Sequence, residues 1–563
     1  MALIDFKVLP GIDKQDTTSG AENRWVDCDN TRFRYGLPEK VGGWSSLITD
    51  TIVGVARRQF AFVDISGNRY IAIGTDKFLL IYFEGQLYDI TPLKTTLTSC
   101  TIATTSGSAV CSITKTSHGL SSGDIVLLDN VTLPGGTGYS DSDFEDKLFQ
   151  VTSVASSSVF TITQSSNATA TVATGGSLEV KPYEQVGPAE QSYGYGWGID
   201  TWGTGAWGEA ASASDVSLEP GLWSLSNFGE VLVATIANGK TFTWNAGDAA
   251  RLTTRASTTT SGFETTNNPT ATRVSLVSPT TRHLIHLGTE TVIGDTTTQD
   301  DMFIRFSDQE DINDYTPTAI NSAGTQRLQD GTKIIGSLKA KETILVWTDN
   351  ALYTMKFIGA PFTFGFEQVG TNCGLIGKNA AIEIDGAAFW MSNNGFFMFD
   401  GTVKSLPCSV EDYVYDQADT TKGQQIYAGI NNLYTEVVWY YPSQGSDYND
   451  QYVVFNYGET MKGGVWYIGT EARTSWIDAS VYPKPSATKF NDSATGTFPV
   501  IIGEDGLGQT TLFEHEVGTD QVNPDGSTTT VTSFIKSFDF DLQANNKMHK
   551  VDQLVQPFQE KCF

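Results

Sequence analysis

Residues 343–357, TILVWTDNALYTMKF, set an unbroken apolar strand before a Thr-Asp-Asn turn and a second strand that ends in aromatics. An apolar run too short for a helix and closed by turn formers reads as a strand packed on both faces. The unit returns as RYIAIGTDKFLLIYFEGQLYDI from Arg69, EVLVATIANGKTFTWN from Glu230 and AAFWMSNNGFFMFDGTV from Ala387. It returns again as EVVWYYPSQGSDYNDQYVVFNY from Glu436 and PVIIGEDGLGQTTLFE from Pro499, and RHLIHLG with DMFIRFSDQED adds a further pair. From Lys333 to Glu516 the hairpins recur about every 45 to 60 residues, the signature of a radial repeat. In such an array the inner strands of each blade are covered on both sides by neighbouring blades, so they read as continuous Val, Ile, Leu and aromatic runs. The expected fold is all-β, a β-propeller of about six to seven blades carrying an inserted small β domain.

Composition agrees with many short strands: 39% hydrophobic, 18% charged, 11% aromatic and 55 glycines. The one expected helix is SVEDYVYDQAD from Ser409, with Ser409 as cap, Asp412 closing a capping box, and Tyr413 and Val414 against the body. The formal charge of -28 excludes a nucleic-acid grip through net field. It fits a soluble particle and equally a wall past which DNA slides. Six scattered cysteines without a C-x-x-C pair and five histidines argue against a zinc site and for free thiols in a reducing cytosol. Cys100 and Cys111 read as buried small side chains. No eighteen-residue apolar run suggests a membrane span.

The expected organisation is an N-terminal segment with the first blade over 1–97, an inserted small β domain over 98–177, and a glycine and aromatic loop over 178–215. The remaining blades follow over 216–519 and a C-terminal β segment over 520–563. The insertion, with CSITKT, GDIVLLDNV, KLFQVTSV and SVFTITQ, has its own strand pattern and polar flanks, as expected of a domain set into a loop of the first blade. In SYGYGWGIDTWGTGAWGEA, from Ser192, Trp197, Trp202 and Trp207 would expose a large apolar patch, which marks them as a subunit or partner contact. Serine at Trp202 and Trp207 is expected to weaken assembly more than folding.

Catalytic signals stay at background. A sialidase needs a cluster of arginines, and after Arg327 only Arg473 remains. TDNALY and SNNGFF lack the Ser-x-Asp-x-Gly order of that family's turn. Asp141, Asp143, Glu145 and Asp146 have the oxygen density of a calcium loop without its glycine and read as a solvated acidic loop. His283 and His286, three apart on a strand, point to opposite faces and cannot share a metal. Phosphate-loop, serine-hydrolase and zinc-protease motifs are missing, so no enzyme activity, cofactor or metal is expected.

Several stretches together resemble the tail nozzle, or packaged-DNA-stabilisation, proteins of short-tailed bacteriophages: NRWVDCDNTRFRYGLPEKVGGW from Asn23, WSLSNFGEVLVATIANGKTFTWN from Trp223, and RHLIHLG with IRFSDQEDINDYTPT from Arg282 to Thr318. VEDYVYDQADTTKGQQIYAGINNLYTEVVWYYP and YVVFNYGETMKGGVWYIGT extend the likeness. Locally, LPEKVGGW reads as a turn between strands and DQEDINDYTPT as a blade-to-blade connection. The resemblance implies a propeller body and a homo-oligomeric ring of six copies around a DNA channel. It also implies an adaptor and other tail proteins, including tail fibres, as partners, and a place in the virion after synthesis in the host bacterial cytoplasm. Double-stranded DNA would pass without tight binding, and the acidic turns holding Asp308, Glu310, Asp311, Glu411, Asp412, Glu504 and Asp505 are the candidates for the channel wall. A receptor-binding or fibre-docking tail protein is the alternative, with a propeller glycan hydrolase behind it.

Overall fold

With one exception, each hairpin read from the sequence belongs to its own small antiparallel sheet. The computed structural model of the chain describes residues 8–191, 219–459, 464–504 and 506–539. Among these residues seven blades follow in chain order, and their first strands are Ala56–Val63, Trp223–Phe228, Thr272–Val277, Ile334–Ala340, Ala381–Ile384, Tyr427–Asn431 and Ser475–Ile477. Each first strand touches the first strand of the next blade, and the seventh touches the first, so the sheets close into a ring around one axis. The seventh blade is completed from the other end of the chain: Trp44–Ser46 pairs antiparallel with Gln509–His515. This β-propeller is therefore latched by its own N-terminal region, and it leaves fewer strand edges open than a row of separate sheets would.

The continuous apolar runs do what their pattern requires. Thr343–Thr348 and Val231–Ile236 are buried almost throughout because each lies between two blades. Indoles fill several of these seams and find a partner for their N–H in the preceding blade. Trp223 donates to the Thr75 carbonyl at 2.9 Å, Trp439 to Ala380 at 3.0 Å and Trp476 to Ile430 at 2.7 Å. Two glycines make room for these rings. A Cβ on Gly74 would stand 2.5 Å from the Trp223 ring, and one on Gly429 the same distance from Trp476. No helix among the described residues is long and apolar enough to cross a membrane.

The inserted strands run from Leu97–Thr104 to Val172–Pro182 and form a closed six-stranded barrel, since the two outer strands of the six, Ile125–Thr132 and Lys147–Ser156, also pair with each other. Its last strand continues past residue 177 to Pro182, and the insertion lies between the first and second blades rather than within the first. The chain enters and leaves side by side, with Lys94 N donating to the Pro182 carbonyl at 2.7 Å and Glu184 N to Pro92 at 3.0 Å. The barrel also leans on the body: Leu148 and Phe149 pair in parallel with Ile501 and Ile502, and Ile125 and Leu148 join a core with Ile71 and Leu80. Deleting residues 97–180 and joining the stem with a short Gly-Ser link is expected to keep one cooperative thermal transition, with stability lower by about 2–5 kcal/mol for the lost apolar cover. Loss of the cooperative transition would show that the barrel is part of the propeller core.

Four local expectations are corrected. Residues from Pro499 do not form a hairpin with Gln509–His515, whose partner is Ser486–Asn491, because Ile501 and Ile502 are taken by the barrel. Leu37–Lys40, within LPEKVGGW, is a strand paired with Thr31–Arg34, and the turn lies at Tyr35 and Gly36. DQEDINDYTPT joins the third and fourth strands of one blade instead of linking two blades. The helix is Glu411–Gln417 without a side-chain cap, since Ser409 Oγ donates instead to the Ile12 carbonyl at 2.6 Å. Val414 is buried as expected, and Lys14 Nζ lies 4.7 Å above the half-buried Tyr413 ring. Cys100 and Cys111 are buried free thiols that do not oppose each other: Cys111 faces Thr104 and Cys100 faces Leu178.

Candidate functional site

The first strands converge on the propeller axis, where large apolar side chains would collide and polar ones meet. At the face where these strands begin, the chain places Arg57 and Arg58 in the first blade, Arg273 in the third, Lys333 before the fourth strand start and Lys378 before the fifth. Lys339 lies toward the other end of the fourth blade's first strand, one residue before Ala340. Amides tie the collar together. Arg57 Nη2 donates to Gln425 Oε1 at 3.1 Å, Arg58 Nη1 to Asn379 Oδ1 at 3.2 Å, and Asn379 Nδ2 to the Arg57 carbonyl at 3.3 Å. Gln424 Oε1 accepts from Lys378 N at 3.1 Å.

Carboxylates stand among these cations: Asp76 and Glu190 lie close enough to Arg57 to favour its charge, and Glu219 acts the same way on Lys378. Glu219 accepts from Arg273 at 2.6 Å and from Lys333 at 3.2 Å, and Asp301 stands 3.6 Å from Arg273. Arg57, Arg58, Lys339 and Lys378 form no ion pair with a carboxylate among the described residues. Lys378 Nζ donates to the Arg273 carbonyl at 3.3 Å and Lys339 Nζ to Ser226 Oγ at 2.8 Å, while Arg57 Nη1 is buried with no partner. Burial, then the charges of Arg58 and Arg273, push the Lys378 ammonium down to about 7. Burial and Arg58 bring Lys339 down to about 8, and burial lowers Arg57 to about 10. Sequence reading missed these residues because, apart from the adjacent Arg57 and Arg58, they are scattered through the chain as far as Lys378 and approach the axis only when the blades close.

The acidic turns are not brought together. Successive strands of a blade run in opposite directions, so third-to-fourth connections emerge on one face of the disc, while second-to-third and blade-to-blade connections emerge on the other. Asp308, Glu310 and Asp311 lie on the first of these faces, Glu411, Asp412 and Glu504 on the second. Several carboxylates also have structural work. Asp308 Oδ1 accepts from Ser322 Oγ at 2.6 Å and from Gln309 N at 2.8 Å, Asp311 accepts from Asn313 N at 2.9 Å, and Glu310 pairs with Arg282 at 3.1 Å. Glu310 and Asp311 border a cleft of about 930 Å³ between the second and third blades, floored by Phe228 and Ile312. Burial raises the Glu411 carboxyl above its usual range and raises Glu504 to about 7, while Asp412 is exposed. Asp505, Trp197, Trp202 and Trp207 lie outside the described residues.

The remaining polar clusters are hydrogen-bonded structure. His283 meets Thr281 Oγ1 at 2.7 Å and Ser322 Oγ at 2.9 Å, and His286 meets Thr272 Oγ1 at 3.2 Å and the Tyr315 hydroxyl at 2.9 Å. On the barrel, Asp129, Glu145 and Asp146 approach one another closely. Glu145 accepts from Asn130 N and Val131 N, Asp129 pairs with Lys181, and Asp141 and Asp143 accept from Leu133 N and Ser140 N at either end of a short 3-10 turn. These carboxylates close turns.

No protein-family model matches the chain, and no curated protein matches it. Among solved structures, the computationally designed Ika8 protein is 8% identical over 84% of this chain and 99% of its own, with a TM-score of 0.34. BamB from Moraxella catarrhalis is 13% identical over 52% of this chain and 81% of its own, with a TM-score of 0.26. The phage phi92 endosialidase is 10% identical over 95% of this chain and 81% of its own, with a TM-score of 0.21. Likenesses this weak carry no argument about function.

Proposed function

We propose that the chain is a non-enzymatic structural subunit of a bacteriophage tail, a nozzle or lower tail-tube component that assembles as a ring around a DNA channel. In this role it helps retain packaged DNA and conducts it at ejection. The observation that carries the reading is the sequence likeness quoted above, spread from Asn23 to Thr470 outside the insertion. Support comes from the β-propeller body that this likeness implies, latched end to end so that it can act as a rigid wedge. Its partners would be further copies of itself, the adaptor, other tail proteins and tail fibres, and its place the virion.

An acidic channel wall is part of the reading. Because the acidic turns divide between two faces of the disc, one face supplies the wall: either Glu411, Asp412 and Glu504, or Asp308, Glu310 and Asp311. Carboxylates there would repel phosphates over a Debye length of about 8 Å and keep the duplex hydrated and unheld. Negative-stain images of the purified protein are expected to show rings with an axial hole. An elongated trimer would favour the receptor-binding reading and a compact monomer the hydrolase. The assembled ring is further expected to leave duplex DNA unbound at low salt, and tight, salt-sensitive binding would replace the conduit with a DNA-gripping role.

A further inference from the structure

We propose that the cleft between the second and third blades binds a neutral carbohydrate, with the side-chain amide of Asn268 as its recognition group. The cleft, about 930 Å³, has one wall from residues 262–270, which lead from the second blade to the third. The other comes from residues 310–316, between the third and fourth strands of the third blade. Asn267 N donates to Asn313 Oδ1 at 2.9 Å, so a hydrogen bond ties the two walls together. Asn268 lines the cleft and is only 3% exposed, yet neither its Oδ1 nor its Nδ2 has a hydrogen-bond partner. Its backbone is satisfied, since Asn268 N donates to the Thr265 carbonyl at 3.1 Å. A buried amide left wholly unpaired is costly, and the cleft is the route by which a partner reaches it. Nothing in this site depends on the tail assignment.

The chemistry of the partner follows from what is unpaired. An asparagine amide sets donors and an acceptor side by side, and a hydroxyl both donates and accepts. Neighbouring sugar hydroxyls therefore satisfy Oδ1 and Nδ2 together. An ammonium or guanidinium would leave Nδ2 unpaired, and an anion would leave Oδ1 unpaired and meet the carboxylates of Glu264, Asp311 and Asp314, which also line the cleft. Glu264 accepts from Gly262 N through Oε1 and Asp311 from Asn313 N through Oδ1. The second oxygen of each is left to accept further hydroxyls. The apolar side of a sugar ring has its place as well: the half-buried Phe263 stands edge-on to Phe228 at 6.3 Å between ring centres, and Ile312 packs in the same cluster. Arg282 lies 4.3 Å above Phe228 and pairs with Glu310, which offsets the charge of that carboxylate. An apolar wall with a few fixed polar groups is the usual form of a small-molecule site.

The test presents the full chain to an array of immobilised neutral oligosaccharides built from glucose, galactose, mannose and N-acetylglucosamine, with sialylated sugars and oligolysine as charged controls. Binding to a neutral oligosaccharide is expected. Calorimetric titration with that sugar should give one site per chain, with an affinity insensitive to salt because no charge is paired. Asn268→Leu should weaken binding at least about tenfold. Its thermal midpoint without sugar should equal or exceed that of the parent, because an apolar side chain of similar shape removes two unpaired polar atoms. An asparagine with a merely structural role would lower the midpoint instead. Asp311→Asn, at the exposed rim, should weaken binding roughly threefold or more. Where Asn268→Leu lowers the midpoint, the Asp311→Asn result alone decides. The proposal is overturned if no neutral oligosaccharide binds, as when water alone fills the cleft, if only sialylated sugars or oligolysine bind, or if neither variant weakens the binding.

Discussion

Replacing Arg32 by methionine is expected to destabilise the protein by about 3–5 kcal/mol, read as a shift of the chemical denaturation midpoint at unchanged slope. Arg32 lies in the hairpin strand Thr31–Arg34, outside the blades, yet its guanidinium is buried between Glu436 of the sixth blade at 3.1 Å and Glu516, just past the third strand of the seventh, at 2.5 Å. The Tyr434 ring centre lies 3.5 Å from it, Asn431 donates to Glu516 at 2.9 Å, and the Tyr467 hydroxyl donates to Glu436. One cation serves two carboxylates, and burial together with the second carboxylate holds the Glu436 proton up to about 7. Removing the cation leaves buried acids without compensation, which is why the loss exceeds that of an exposed pair. Adding Glu436→Gln and Glu516→Gln to Arg32→Met should recover part of the loss. A single-variant change below about 1 kcal/mol would mean that water reaches the cluster.

Acid should weaken the fold through histidines held neutral. His286 is fully buried, and burial followed by the charge of Arg305 lowers it to about 3. His515 is pushed well below its ordinary value by burial and by Arg473 beside it. For both, the unfolded chain binds the proton more readily, so their contribution is fully present above about pH 6.5 and is lost as pH falls through the folded value. His286 alone accounts for about 3 kcal/mol of lost stability by pH 4, at about 1.4 kcal/mol per unit. Glu436 acts in the opposite sense, since its raised value adds stability as pH falls from about 7 toward its unfolded range. The two are separated by comparing the parent with His286→Gln. The stability gap between them at neutral pH should close by about 3 kcal/mol on going to pH 4. A gap independent of pH would show that His286 does not stay neutral in the folded state.

Much of the propeller was legible as a pattern. An apolar run such as TILVWT can be satisfied only by cover on both faces, and its repetition six times over dictates stacked sheets. The exception, Ile501 and Ile502, shows the boundary of such reading: two isoleucines beside a turn look like half of a hairpin, and only the docking of the barrel decides that they pair with Leu148 and Phe149 instead. In the same way DQEDINDYTPT announced a turn correctly, but which strands it joined depended on a fourth strand, Gly324–Arg327, with hardly an apolar residue to mark it.

The sequence by itself therefore determined the local structure: strands, turns, the insertion and the all-β class, because alternation, apolar runs and turn residues act over a few neighbours. The tertiary structure alone decided which charges meet. Arg32 finds Glu436 and Glu516 across more than four hundred residues, and Arg58 of the first blade meets Asn379 beside the fifth only because the ring is closed by the seventh blade, latched by Trp44–Ser46. Electrostatic energy depends on distance in space and on burial, and neither is written in the spacing of residues along a chain that closes on itself.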